Sequence, residues 1–139
     1  MRYAHNFIIG TFFLLFIPLT TTSITAQKYD MQVERLAQEV ESQVIEWRHW
    51  FHENAELSNR EFKTSKRIAE ILSDMGYKPQ TNVAKTGVVA ILNGKKRGPV
   101  VALRADIDGL PIKERVNLPW ASKMTGVYNG ETVPVMHAC

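Results

Sequence analysis

Three short stretches hold the side chains that could do chemistry. The last of them is "VPVMHAC", in which His137 precedes Cys139, the sequence's single cysteine. Imidazole and thiolate are both good zinc ligands, but an H-x-C triplet is a weak signal, and a lone cysteine is more often a small buried hydrophobe. The second is "RADIDGLP", where Asp106 and Asp108 end an apolar run. Residues two apart on a strand face one side, so both carboxylates could open on one cleft. Strand ends are also where open α/β sheets bind ligands. A calcium loop is excluded, because Gly109 follows Asp108 directly and later oxygen ligands are missing. The plainer reading is a buried Arg104–Asp pair, or an Asx turn ahead of Leu110 and Pro111.

The third stretch, "WRHWFHENAELS", carries His49, His52, Glu53 and Glu56 near a helix end. His49 and His52 share a helical face, which could suit a metal. Their order matches neither H-E-x-x-H nor its reversed form, and such residues also end helices as polar, dipole-compatible groups.

Elements must position these groups. Val33, Leu36, Ala37, Val40, Val44, Trp47 and Phe51 recur at three- and four-residue steps, predicting an amphipathic helix from about Met31 to about Glu53. Ser58 to Glu61, "SNRE", reads as a capping box opening a second helix, and Gly76 suits its left-handed end. The period then changes. "TGVVAILNG" and "GPVVALRADID" read as consecutive strands joined by a polar loop, with Tyr77 to Val83 a candidate strand before them. Irregular turns follow at "VNLPW" and "VYNGE". Helix, helix, then strands indicates an α/β layered domain.

A hydrophobic content of 45% with 22% charged residues is ordinary for a globular chain, so disorder is not the default. The net charge of +3 is scattered, with one small knot at Lys95, Lys96 and Arg97. Without a basic stripe, nucleic acid is excluded as a partner. Residues 1–26 read as a secretory signal: Arg2, the apolar run from Phe7 to Leu19, then "TTTSITA" with cleavage after Ala26. The run is too short for a stable membrane anchor. Export to the periplasm or the medium follows. In that compartment one cysteine makes no bridge within the chain, so Cys139 is free, paired with another chain, or a ligand.

In order and spacing, "RHWFHENAELSNREFKTS", "KTGVVAIL", "VALRADIDGLPIKE" and "YNGETVPVMHAC" resemble successive blocks of one family. It is the metal-dependent amidohydrolases, in the hippurate, N-acyl-amino-acid and indole-acetyl-amino-acid hydrolase branch of the aminoacylase/carboxypeptidase zinc-peptidase group. The resemblance runs from about Glu34 to Cys139. It implies that residues 27–139 are the N-terminal part of a layered α/β/α zinc-peptidase-like catalytic domain, incomplete. In that branch the last block continues into Gly-His-Asp, so Cys139 matches a thiolate ligand of a two-metal centre. The ions expected are zinc or manganese, with nickel and cobalt as alternatives. His137 matches a motif residue not counted as a ligand. Asp106 matches the catalytic-site aspartate that supports the metals; the wider group's ligand histidine two places earlier is Arg104 here, as is normal for the branch. Asp108 belongs to the same block. His49, His52 and Glu56 match a block read as structural. Ala55 stands where proline is common, Gly109 where alanine is, and Pro134 where glycine is.

The implied activity is hydrolysis of the amide bond of N-acyl amino acids or related peptide-like amides, by a full-length homodimer. The glutamate base, the remaining ligands and the dimerisation domain are not among these residues, so the chain alone is expected to be inactive. An exported, non-catalytic binding protein built on the same half-domain is the alternative. Two or three strands and two helices bury little, and no disulfide staples them. Circular dichroism on heating should therefore show a shallow, non-cooperative loss of structure; a sharp transition would contradict this expectation.

Overall fold

The computed structural model describes the backbone of residues 21–139 and the side chains of residues 29–139. Most of the expected signal segment lies outside the described residues. The chain divides into two compact units, Met1–Glu41 and Ser42–Cys139. In the first, the described residues are helical, with Glu34 accepting from Gln38 at 2.9 Å and Arg35 paired to Glu39, both one turn apart. This helix, α1, spans Thr21–Glu53 and so starts earlier than the apolar stripe alone indicated. No helix among the described residues is long and apolar enough to cross a membrane.

In the second unit α1 ends where Asn54 turns its main-chain and side-chain N–H groups onto the Trp50 carbonyl, at 3.1 and 2.9 Å. Helix α2 spans Phe62–Asp74. Its C-terminus closes as expected: Gly76 takes φ 87°, and the Tyr77 N–H reaches back to the Leu72 carbonyl at 3.0 Å. Its N-terminus does not. Ser58 is not the cap; Glu61 occupies that position and makes no side-chain bond to the helix amides. The Glu61 carboxylate is buried, accepting from the Asn59 amide at 2.9 Å and from the Thr86 hydroxyl at 2.6 Å. The capping falls to Glu56. Its carboxylate accepts from the amides of Lys63 and Thr64 at 3.3 and 2.8 Å and from the Thr64 hydroxyl at 3.0 Å. A negative group there also meets the positive end of the helix dipole.

Strands β1 (Gln80–Val83) and β2 (Gly87–Val89) form one antiparallel pair. The turn between them carries Thr86, so the Thr86–Glu61 bond ties this hairpin to the start of α2. Strands β3 (Thr125–Tyr128) and β4 (Glu131–Pro134) form a second pair about Asn129 and Gly130, at φ 52° and 84°. Two positive φ values make the turn that matches strand twist, and Asn-Gly is the dipeptide that accepts them. "VYNGE" is therefore a hairpin, where only a turn had been expected.

"GPVVALRADID" is not a strand in this structure, a correction to the sequence reading. Val100 and Leu103 are each 98% exposed. A continuous apolar run of this kind is stable as a strand only when neighbours cover both faces and both edges. Among the described residues nothing pairs with it. The chain is thus an incomplete α/β domain.

A small core holds what remains. Ala55, Leu57 and Val135 are buried, with Met124 and Val133 packed against them. Leu57 bridges Gly109 in parallel, and Leu110 bridges Met136 antiparallel, so three distant segments meet there. Gly109 makes this crossing feasible. A Cβ on it would stand 2.8 Å from Val135 Cγ1, 3.1 Å from Ala55 Cβ and 3.2 Å from the Met136 carbonyl oxygen. Removing the Glu56 carboxylate as Glu56→Ala should weaken the first turn of α2 by about 1 kcal/mol. Amide exchange at Lys63 and Thr64 should then speed up several-fold while the last turn of α2 keeps its protection.

Candidate functional site

The two bridges bring the acidic block beside the closing block. The Gly109 N–H donates to the Glu56 carbonyl at 2.6 Å, and Leu110 and Met136 exchange main-chain bonds of 2.8 and 3.1 Å. Val135 is held from its other side, donating to the Met124 carbonyl at 2.9 Å and accepting from the Ser122 hydroxyl at 2.6 Å. Asp108 immediately precedes this junction and His137 immediately follows it.

His137 is half-buried, and its Nε2 has no hydrogen-bond partner. Burial pushes its pKa down, and the charge of His52 adds to that. The Asp108 main chain and carboxylate oppose them, favouring the protonated ring. His52, in the last turn of α1, lies 2.7 Å from Glu114 through Nε2 and Oε2. The other Glu114 oxygen accepts from the amides of Arg115 and Val116 at 2.9 and 3.1 Å. The His52 hydrogen bond, then the Val116 amide, hold the Glu114 carboxyl below its usual value, against a smaller opposing effect of burial. One turn before His52, His49 stacks on Trp120 with ring centres 3.7 Å apart.

The residues singled out from sequence divide in two. Asp108, His137 and His52 come together. Glu56 is spent on the α2 amides, His49 on Trp120, and Glu53 is exposed. Asp106 sits on the exposed run with its side chain 71% accessible, accepting from Arg104 at 3.0 Å. The ion pair weighed against a site role therefore forms, but at the surface. Cys139 is free and exposed. Among the described residues no three His, Cys, Asp or Glu side chains are grouped to hold one ion. Glu114 was missed. Its signal was available: it is the one carboxylate between Asp108 and Glu131.

No family model matches the chain. Individual proteins do. It is 43% identical over 100 residues to an N-acetyl-L-cysteine deacetylase of Bacillus subtilis, covering 72% of this chain and 22% of that protein. It is 42% identical over 108 residues to an N-acyl-L-amino acid amidohydrolase of Geobacillus stearothermophilus, covering 78% of this chain and 27% of the relative. Among solved structures it matches a Bacillus subtilis dinuclear metal binding peptidase of the M20 family, with a TM-score of 0.63 and 40% identity. That match covers 73% of this chain and 27% of the other. The chain thus spans about a quarter of the length of the relatives it matches.

The depressed Glu114 pKa gives a signed prediction. A carboxyl with a lower pKa folded than unfolded adds stability that is complete above its usual value of 4.5 and is lost as pH falls through the folded value. Wild type and Glu114→Gln should therefore differ most in stability near neutral pH and converge in acid. A difference that widened on acidification would contradict this.

Proposed function

This chain belongs to the amidohydrolases that include the M20 dinuclear metal peptidases, and on that premise we propose that it forms part of an exported enzyme hydrolysing N-acyl amino acids. Residues 1–26 serve as its export signal, and residues 27–139 as the N-terminal portion of its catalytic domain. The observation that carries the reading is the junction at Leu110 and Met136. It sets an acidic block against a His-x-Cys block, in a chain 40% identical to a dinuclear metal binding peptidase.

The donors present suit a divalent ion as part of a larger set. Cys139 offers a free, exposed thiol, and His137, two residues before it and not counted as a ligand, keeps a buried ring nitrogen without a partner. Cys139 would hold the metal. A thiolate favours zinc, and carboxylates in the rest of the set would suit manganese, with nickel or cobalt as alternatives. Two such ions would supply Lewis acidity, polarising the scissile carbonyl and easing deprotonation of water.

The remaining work belongs to this chain's own residues. Asp106 would orient a ligand and raise its basicity, as carboxylates behind metal-binding side chains do. For that it must leave Arg104. The pair is exposed and of a kind that contributes little, so exchange of partners costs little. Burial lowers the pKa of the His137 ring, and Asp108 beside it offsets part of that lowering. Arg104, two residues before Asp106, has the planar fork of N–H donors suited to the carboxylate of an N-acyl amino acid once released.

With no complete donor group among its described residues, the chain alone should bind metal weakly and leave the amide intact. Purified chain incubated with N-acetyl amino acids and Zn²⁺ or Mn²⁺ should show no turnover. Cadmium added alone should give a thiolate-to-metal absorption band that Cys139→Ser abolishes. Chelator-sensitive hydrolysis by the chain would overturn the inactivity, and a band surviving in Cys139→Ser would overturn the ligand assignment.

A further inference from the structure

We propose that His52 and Glu114 are positioning residues, a clamp that holds the segment after Asp108 in register with the segment ending at Cys139. The inference rests on the functional reading above for what the clamp serves, and on independent geometry for its existence.

The segment from Gly109 to Glu114 is fastened at both ends by one short stretch of chain. At its start the Gly109 N–H donates to the Glu56 carbonyl at 2.6 Å. At its end Glu114 meets His52 at 2.7 Å. His52 and Glu56 are four residues apart, across the end of α1. Within the segment the Ile112 N–H returns to the Leu110 carbonyl at 2.8 Å, shortening the span between the two fastenings. Leu110, between them, is the residue that bonds Met136 in both directions. The alignment of Asp108 with His137 therefore depends on where this short segment is held.

The chemistry at Glu114 suits a fixed strut. Its carboxylate takes three donors: the imidazole on one oxygen and two successive amides on the other. That arrangement leaves the side chain one orientation. Both oxygens already accept from the protein, so Glu114 is not offered as a metal ligand; it acts through the main chain it anchors.

The test uses the 139-residue chain. His52→Ala should speed amide exchange at Leu110 and Met136 by about tenfold, the loss of one charge-assisted bond. Exchange at Ile71 and Leu72 in α2 should stay unchanged. His52→Gln, which keeps a side-chain N–H donor, should recover most of the protection. Glu114→Gln keeps the shape while losing the charge, and should give an intermediate effect. A uniform rise in exchange across α2 and the junction would make the pair merely stabilising and overturn the proposal. So would an unchanged junction, or Leu110 and Met136 amides unprotected in wild type.

A second readout separates the clamp from the functional reading. His52→Ala should weaken the cadmium–thiolate band of Cys139 several-fold at fixed cadmium, and His52→Gln should restore it. A wild type with no Cys139-dependent band would sink the functional reading, while the exchange data would still decide the clamp. A normal band in His52→Ala would sink the positioning role.

Discussion

The missing side chain at Gly109 is the constraint on which the rest of this structure depends. The end of α1, the acidic block and the closing block converge on that residue, and the gaps about it are smaller than a methyl group needs. Val135 is β-branched and cannot swing aside cheaply. Ala55 is itself minimal. Because Gly109 is bare, Leu57 can bridge it, Glu56 can reach its amide, and Leu110 can pair with Met136.

Around that point, buried polar groups do work that apolar burial does not. Among the described residues the packed apolar cluster is three buried side chains. Glu61 and Thr86 join the first hairpin to α2, Glu56 caps that helix, and Ser122 accepts a similar duty for Val135. Each group is satisfied, which is the condition for burying it without penalty. A structure resting on so few apolar contacts is held by the direction of its bonds more than by the area it buries.

Much of this was legible in the sequence, and the misses have physical causes. The stripe from Val33 to Phe51 gave α1, and Gly76 gave the end of α2, because periodicity and left-handed glycine act locally. "SNRE" misled because a capping box is only a spacing. Glu61 found a better partner in Thr86, twenty-five residues away, and Glu56 took its place at the helix. Asn129-Gly130 carried a hairpin signal whose flanking residues alternate too weakly to be read as strands. "GPVVALRADID" has the composition of a central strand, but composition does not supply neighbours. At the site, residue types were readable while their pairing was not. Nothing in the spacing of His52 and Glu114 announces that they meet, whereas His137 and Asp108 are neighbours only because Gly109 permits it.

The separation of those partners bears on how the site is held. His52 and Glu114 are 62 positions apart, and closing a loop of that size costs chain entropy. Once Leu57 lies on Gly109, most of that cost has been met. The residual loop from His52 through the Leu57–Gly109 bridge to Glu114 is only a few residues on either side. The Leu110–Met136 bonds close a different loop and carry a cost of their own. The His52–Glu114 and Leu57–Gly109 links therefore share one entropic penalty, and each makes the other easier to form. The end of α1 thus grips the acidic block with two links for the chain entropy of about one.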